Sequence, residues 1–432
     1  MSDCTLSTVD TLNEGSMVQR QIERGYFKEV KAINTVKDSS TIEFAVTGDG
    51  EEFTDLRNTF LKVSLCIRKS NGSALAADDN ISVINYIAST FFSQVTVYLN
   101  EEEISNSSAS YAYRAILESL LTFDESALNS QFQSSGYYKD TAGLMDVVDL
   151  TASPTNEGLK ERAELFSESK VVEFMTRIHS DIFAQPKLLV NGIRMRLVLN
   201  FNKNNFCLMG SNVDDYKLKI VDASLMIRKC KLVDSVYLNA ISKKSLYPIT
   251  RVALKEFSFT SGSANVDLNN LKSGVLPNRI VLAMVSNAAK NGNGTLNPFN
   301  FQHFNLSECN VMLTSGGNNG TVNGQPLRFN FDDGQDVDGY WTLFAGTGKM
   351  HDNAGSIIKR KDYKSGYTLI AIDLSPTLCS GDYIDPAQSG ELSVSLVFRQ
   401  TLAVSITVFA YLEYDGLLEI TKEKVVIPHF HV

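Results

Sequence analysis

A glycine-rich segment at residues 346–350, reading Gly-Thr-Gly-Lys-Met, is the first place where this sequence could do chemistry. In phosphate-binding loops such a segment surrounds phosphates with backbone amides, the lysine contacts the phosphates, and a Ser or Thr after the lysine binds Mg²⁺. Here Leu343 stands where the first glycine is needed, and Met350 replaces the Ser or Thr. We therefore interpret the segment as a turn.

An acidic segment at residues 332–339, Asp-Asp-Gly-Gln-Asp-Val-Asp-Gly, has carboxylates of the kind that bind Ca²⁺. With Gly339 as the turn glycine of an EF-type loop, Gly334 takes the first ligand position. Ala345 then stands where the closing glutamate is needed. The pattern disfavours an ion site at 332–339, and the question stays open at this stage.

Two histidine patterns invite a functional interpretation. His179, Ser180 and Asp181 are the residue types of a hydrolase triad, but adjacent residues on an extended chain point in opposite directions. His429 and His431 would share one face of a strand and could supply two zinc ligands, which is not a complete site. We predict no catalytic, cofactor-binding or metal-binding residue, so the chain is expected not to be an enzyme.

The cysteines are scattered singly and form no Cys-x-x-Cys pair. Disulfides are rare in a reducing cytosol, so the sequence predicts free thiols that are packed as small apolar side chains. The six positions are Cys4, Cys66, Cys207, Cys230, Cys309 and Cys379.

The net charge of -9 would on average repel a phosphate backbone, so strong direct contact with DNA is not expected. The first residues show no basic start followed by an apolar run, which predicts synthesis in the cytosol. The longest apolar stretch, residues 392–412, is interrupted by Arg399 and Gln400. It is predicted to be strand rather than a membrane anchor.

The elements that must position these residues are mostly strands. Apolar and polar residues alternate with a period of two along many short segments, of which residues 392–398 and 404–412 are the clearest. Turns rich in Gly, Asn, Asp and Ser separate them. One helix is predicted at residues 113–121. Residues 156–178 are a second helix candidate with weaker periodicity and many charges, and they are predicted to be an exposed insertion.

The chain contains a faint internal repeat. Residues 93–99 (Ser-Gln-Val-Thr-Val-Tyr-Leu) match residues 307–313 (Ser-Glu-Cys-Asn-Val-Met-Leu) at the Ser, Val and Leu positions, and Tyr113 has its counterpart in Tyr340. Further matches keep the same order: 61–67 with 280–285, 192–195 with 390–393, and 218–226 with 404–412. We therefore expect two similar β domains.

The predicted organisation is an N-terminal arm at residues 1–40, a first β sandwich at 41–238, a second at 239–420, and a C-terminal tail at 421–432. About eight antiparallel strands in each half favour a double jelly roll, a mainly β fold of two tandem antiparallel sandwiches with a few inserted helices. Alternation alone leaves two immunoglobulin-like or two lectin-type sandwiches open.

Particular segments differ from generic β sequence: residues 85–100 with the helix at 113–121, residues 55–59, 179–183, 188–192 and 206–209 in the first half, and 247–249, 297–301 and 366–369 in the second. These segments resemble the major capsid proteins of Polinton/Maverick elements and adintovirus-like viruses. The resemblance covers about residues 53–420.

This resemblance implies a structural protein whose homotrimer is a pseudo-hexagonal tile, or capsomer, of an icosahedral DNA virus shell. The implied partners are further copies of the chain in the capsid lattice, a minor single-jelly-roll penton protein, and packaged double-stranded DNA without strong direct contact. The implied location is the virion. The alternatives are a carbohydrate- or receptor-binding β sandwich and, with less support, a β-sandwich hydrolase.

Overall fold

The structure, a computed structural model, describes residues 21–34, 39–48, 50–106, 110–315, 318–322, 324–351, 353, 355–375 and 386–429. The strands of the first half are β1 (Ile22–Lys31), β2 (Thr41–Val46), β3 (Glu52–Lys69), β4 (Ile81–Val83), β5 (Phe92–Leu99), β6 (Glu102–Asn106), β7 (Val172–Arg177), β8 (Met195–Phe201), β9 (Leu208–Gly210) and β10 (Tyr216–Leu232). Its helices are α1 (Ile87–Thr90), α2 (Tyr111–Thr122), α3 (Glu125–Leu128), α4 (Glu157–Leu165) and α5 (Asn204–Cys207), and α6 (Asp234–Ile241) leads to the second half. Short 3-10 turns lie at Gln131–Ser135, Ser167–Ser169, Asp181–Ala184 and Val213–Asp215.

The second half repeats this plan. Its strands are β11 (Ser245–Phe259), β12 (Asn265–Val275), β13 (Arg279–Ser286), β14 (Leu306–Ser315), β15 (Asn318–Thr321), β16 (Leu327–Arg328), β17 (Leu369–Asp373), β18 (Ser389–Phe398), β19 (Ile406–Ile420) and β20 (Val426–His429). Its helices are α7 (Asn287–Lys290), α8 (Val337–Ala345) and α9 (Arg360–Tyr363).

Strand order identifies both halves as jelly rolls. In the first half one sheet has the order β1-β10-β3-β7 and the facing sheet β2-β8-β5-β6, while β4 and β9 pair separately. In the second half the orders are β11-β19-β13-β17 and β12-β18-β14-β15, with β16 and β20 added at the side. When β4, β9, β16 and β20 are left out, the remaining eight described strands of each half can be numbered in chain order. Both halves then have the same two sheets, with the strand orders 1-8-3-6 and 2-7-4-5. The predicted double jelly roll is confirmed, and we call the halves the first and second jelly rolls.

Alternation explains why these segments form sandwiches. In β8, Met195, Leu197 and Leu199 are buried while the residues between them are partly exposed. Each such strand places one apolar face on the inside of its sandwich and a polar face outside. The inward residues of both jelly rolls belong to one continuous apolar core. The two halves are therefore packed together rather than only joined by α6.

The internal repeat is confirmed strand by strand. Residues 93–99 lie in β5 and 307–313 in β14, each the fourth strand of its jelly roll. Two of the other matches fall on the third and the eighth strands, and the match of 192–195 with 390–393 falls at the start of the two seventh strands, where only Met195 of the first segment lies in β8. Tyr113 and Tyr340 lie in α2 and α8, and each helix follows the fifth strand and precedes the sixth.

Two predictions about the first half are corrected. β1 lies within residues 1–40, and its register places Phe27 beside Arg228 of β10, so this part is a strand of the first jelly roll; residues 1–20 lie outside the described part. Residues 156–178 are not an exposed insertion. They contain α4, whose Arg162 is fully buried, and β7, the sixth strand, which pairs with β3. Both segments carry many charged residues on their outward side, so the period-two pattern of their inward residues is not visible in the sequence.

The remaining domain boundaries stay predictions. The helix α6 lies between the last strand of the first jelly roll and the first strand of the second, close to the predicted division at residue 239. Part of the predicted tail forms β20, which pairs with β19. Among the described residues, no helix is long and apolar enough to cross a membrane.

Candidate functional site

The glycine-rich segment at 346–350 lies after the C-terminal end of α8. The backbone amide of Gly346 donates to the carbonyl of Thr342, and the hydroxyl of Thr347 donates to the carbonyl of Leu343. A phosphate-binding loop needs the amides at the start of a helix, whereas the end of a helix presents carbonyl oxygens. The segment is the turn that the sequence predicts.

The acidic segment at 332–339 forms a tight turn and the start of α8. Its residue Asp336 pairs with Arg360, with 3.2 Å between Oδ1 and Nη2, and Asp333 accepts a hydrogen bond from Asn330. Two of its carboxylates therefore already have protein partners. In the described part of the chain, no three His, Cys, Asp or Glu residues are grouped in a way that could hold a metal ion.

The histidine patterns have structural surroundings. His179 and Asp181 contact different partners, Glu118 and Arg114, and no hydrogen bond joins either of them to the Ser180 hydroxyl among the described residues. His429 lies 3.3 Å from Glu419, measured from Nε2 to Oε2. His431 lies outside the described residues.

The described cysteines are buried and free, as the sequence predicts: Cys66, Cys207, Cys230 and Cys309. Burial raises the pKa of the Cys309 thiol to about 12, which keeps it protonated and unreactive. Cys4 and Cys379 lie outside the described residues.

A buried charge network joins α2 to the second jelly roll. Arg114 donates from Nε to Glu118 and from Nη2 to Asp181, both at 2.7 Å. The hydroxyl of Tyr411 on β19 lies 3.4 Å from the Glu118 carboxylate and 3.1 Å from that of Glu413. Because these charges are removed from water, the loss of one partner would leave the other buried without compensation and would destabilise this junction.

The protonation states in this network follow from the contacts. Burial would raise the pKa of Glu118, but the nearby Arg114 and the hydrogen bond from His179 lower it to about 2. Burial lowers the pKa of His179, although Glu118 opposes this, so the imidazole is neutral at pH 7. Its Nδ1 carries the proton, since the carboxylate 2.7 Å away can only accept, and Nε2 accepts from the Tyr86 hydroxyl.

A second buried network joins the connection between β6 and β7 to the second jelly roll. Arg162 donates to Asp140 at 2.7 Å, and the same carboxylate accepts from the side chain of Asn297 at 3.0 Å. The Tyr367 hydroxyl donates to the Asp140 carbonyl at 2.8 Å. The sequence segments 297–301 and 366–369, noted above only for their resemblance, therefore build the junction between the jelly rolls.

The cleft beside the first network has a volume of about 460 Å³. Its charged lining consists of Arg57, Arg114, Arg177, Arg279, Glu118, Asp181 and Glu413. Much of this charge is already paired: Arg279 lies 2.7 Å from Glu413, and Arg114 is bound to two carboxylates. The paired charges hold elements of the two jelly rolls together at this cleft.

An exposed apolar stripe on α8 is a surface feature suited to binding. Val337 and Trp341 are 47 % and 55 % exposed, and Ala345, one further turn along, is also exposed. A spacing of four residues places all three on one face of the helix. Beside them lies a groove of about 310 Å³ that includes Leu327 and Ile372. Sequence reasoning missed this stripe, although the only tryptophan of the chain could have drawn attention to it.

No protein-family model matches the chain. A curated protein from Caenorhabditis elegans, named "Uncharacterized protein F54H12.2", is 23 % identical over 419 residues, which is 93 % of this chain and 96 % of that protein. At this identity the relative is similar along nearly its whole length, and its printed name states no function.

Several solved virus structures share the fold. A chain of the Sputnik virophage structure matches with a TM-score of 0.66 and 12 % identity, covering 98 % of this chain and 92 % of that one. The mavirus major capsid protein matches with a TM-score of 0.54 and 11 % identity, covering 99 % and 94 %. The Faustovirus major capsid protein matches with a TM-score of 0.55 and 9 % identity, covering 95 % and 92 %. These similarities show the double jelly-roll fold.

Proposed function

We propose that this chain is the major capsid protein of an icosahedral DNA virus, and that three copies form a pseudo-hexagonal capsomer. The observation that carries the proposal is the pair of jelly rolls with identical strand order in one chain. Whole-length similarity to virus structures, including two proteins named as major capsid proteins, supports it. Three copies would supply six similar lobes around one axis.

The function is then repeated binding rather than catalysis. Each copy must bury a surface against its neighbours, and symmetry decides which surfaces meet. The exposed stripe on α8 is a surface of the required chemistry, and the net charge of -9 keeps free copies soluble before assembly. A structural rather than an enzymatic role is supported by the similarity to solved structures of major capsid proteins.

We further propose that the gene belongs to a Polinton/Maverick element or an adintovirus-like virus. The support is the set of sequence segments given above, of which 297–301 and 366–369 lie at the junction of the jelly rolls. A similar protein in a nematode is what an integrated element would leave in its host.

The proposed partners are other copies of the chain and a minor single-jelly-roll penton protein. The proposed location is the virion shell, after synthesis in the host cytosol. The packaged double-stranded DNA is expected to make no strong direct contact with this acidic chain.

Electron microscopy of the purified protein tests the function directly. The expected images show trimers with a pseudo-hexagonal outline or closed particles, and light scattering should give the mass of a trimer. A stable monomer at micromolar concentration would contradict the proposal. If a glycan array then showed specific sugar binding, the carbohydrate-binding alternative would replace it.

A further inference from the structure

The helix between the fifth and sixth strands has different surroundings in the two jelly rolls. In the first jelly roll this helix is α2, and the second jelly roll covers it: Tyr113 stacks on Phe409, and Ser110 donates a hydrogen bond to Glu256. In the second jelly roll it is α8, which carries the exposed stripe of Val337, Trp341 and Ala345. In the part of the chain that the structure describes, the same element is thus covered in one half and exposed in the other.

The two helices align residue by residue when Tyr113 is placed on Tyr340. The buried, inward side then matches in size, because Ala112 falls on Gly339 and Ile116 on Leu343. Gly339 has no room for a larger side chain, since a Cβ there would lie 2.2 Å from the Phe329 ring. The alignment is therefore supported by packing as well as by the repeat.

On the outer side, the alignment places the contact residues of α2 on the exposed stripe of α8. Ser110 aligns with Val337, Arg114 with Trp341 and Glu118 with Ala345. Every residue of the exposed stripe on α8 therefore has a counterpart in α2. The three α2 residues form the polar contacts at the junction described above. Their three counterparts on α8 are apolar and exposed, which suits a contact with the jelly roll of another molecule.

The surface that α2 covers also has an exposed counterpart. The outer face of β11, β19 and β13 carries Phe409 and Tyr411, which α2 buries. The equivalent face of β1, β10 and β3 in the first jelly roll carries Phe27, which is 48 % exposed, and Glu29, Lys31 and Asp222, which form exposed ion pairs. Among the described residues, each molecule therefore has an exposed helix at one end of the repeat and an exposed sheet face at the other.

We propose that the α8 stripe of one copy docks on the outer face of β1 and β10 in the first jelly roll of the next copy. This contact repeats, between molecules, the contact that α2 makes within one molecule. It is head-to-tail, and such contacts close into a ring when the rotation per copy fits. The inference rests on the proposed function, because it names the surfaces through which the capsomer forms.

Trp341 reports on the contact by itself, since the chain has no other tryptophan. In samples that light scattering shows to be oligomeric, its fluorescence should shift to shorter wavelength and resist quenching by iodide, relative to samples diluted to monomer. If the protein is oligomeric while Trp341 remains fully quenched, the inference is wrong and the proposed function stands. A monomer at all concentrations overturns both.

A matched pair of substitutions tests whether the stripe contributes to affinity. Val337→Asp introduces a charge at the start of α8, where a carboxylate is compatible with the helix. Val404→Asp changes an equally exposed valine, 46 % against 47 %, in the connection between β18 and β19. We expect Val337→Asp to raise the concentration of half-assembly about tenfold or more and Val404→Asp to leave it unchanged. Equal behaviour of the two variants overturns the inference.

Cross-linking tests which surface lies opposite the stripe. Trp341→Cys and Phe27→Cys are made as separate proteins that also carry Cys4→Ser and Cys379→Ser, because the other four cysteines are buried. Each protein is treated with a short bifunctional thiol reagent. A covalent dimer should form when the two proteins are mixed and not when either is alone. A covalent dimer formed by Trp341→Cys alone would indicate that the α8 stripes of two molecules contact each other. That result would overturn the head-to-tail arrangement.

Discussion

Tyr113 of α2 stacks on Phe409 of β19, with ring centroids 4.0 Å apart and an angle of 28° between the ring planes. Both side chains are buried, and they come from different jelly rolls. The Tyr113 hydroxyl has no hydrogen-bond partner among the described residues, so the contact is that of two apolar rings. This stack fixes how α2 lies on the second jelly roll.

Truncating this stack should destabilise the chain strongly. We expect Tyr113→Ala and Phe409→Ala each to lower the free energy of unfolding by about 3–5 kcal/mol, because each leaves a cavity at the junction. Tyr113→Phe is the matched control: it keeps the ring and removes a buried hydroxyl without a partner, so stability should stay the same or rise by about 1 kcal/mol. Urea denaturation measures all three, and a loss in Tyr113→Phe as large as in Tyr113→Ala would contradict the apolar interpretation.

The buried Arg162 should be equally sensitive. Its side chain is 0 % exposed and lies 2.7 Å from Asp140. Arg162→Met leaves that carboxylate buried without its cation, which should cost about 3–5 kcal/mol. Arg328→Met changes an exposed arginine and should alter stability by less than about 0.5 kcal/mol. Thermal denaturation measures the stability of the two variants. Equal losses of stability in Arg162→Met and Arg328→Met would show that the buried ion pair of Arg162 with Asp140 contributes no more than an exposed arginine.

The fold could be predicted because its strands have one apolar face each. In β18, the apolar residues Leu392, Val394 and Leu396 recur with a period of two and are buried in the structure. The same criterion failed for β1 and β7, where few apolar residues point inward. β1 is an edge strand with a charged outer face, and the inward Phe174 and Thr176 of β7 stand among charged neighbours.

The candidate site could be predicted much less well. Segments such as 297–301 and 366–369 were noted because they resemble a family, but nothing in one sequence shows that Asn297 and Tyr367 meet at Asp140. Those contacts join residues that are far apart along the chain. The stripe on α8 was missed for another reason, since an exposed apolar residue is recognised only when the fold shows which side of the helix faces solvent.

Gly366 at the junction should not tolerate a side chain. Its φ is +110°, and a Cβ there would lie 2.5 Å from the sulfur of Met145 and 2.8 Å from Oδ1 of Asn300. Gly262 has a similar backbone conformation, with φ of +89°, but open space around it. We expect Gly262→Ala to cost about 1–2 kcal/mol from backbone strain alone and Gly366→Ala about 1–3 kcal/mol more from overpacking. Equal losses in urea denaturation would contradict the close approach of the two halves.

The charge network predicts a specific loss of stability in acid. The pKa of Glu118 is lowered from 4.5 to about 2 in the folded protein, despite burial, by Arg114 and His179. A carboxyl group with a lowered pKa contributes stability that is fully present above its unfolded pKa and is lost as the pH falls through the folded value. The free energy of unfolding should therefore decrease between about pH 4.5 and pH 2, and Glu118→Gln should be less stable at pH 7 and show a flatter decrease over that range.

Glu413 provides a control of opposite sign in the same network. Burial raises the pKa of Glu413, although Arg279 opposes the shift. Its contribution is therefore fully present below the unfolded pKa of 4.5 and is lost as the pH rises through the folded one, so it changes above the pH range in which Glu118 titrates. Glu413→Gln should remove this loss of stability above pH 4.5 and leave the decrease between about pH 4.5 and pH 2 unchanged, whereas Glu118→Gln makes that decrease flatter. Urea denaturation at a series of pH values and constant ionic strength measures both, and effects of the two variants in the same pH range would show that these carboxyl groups do not titrate as their surroundings require.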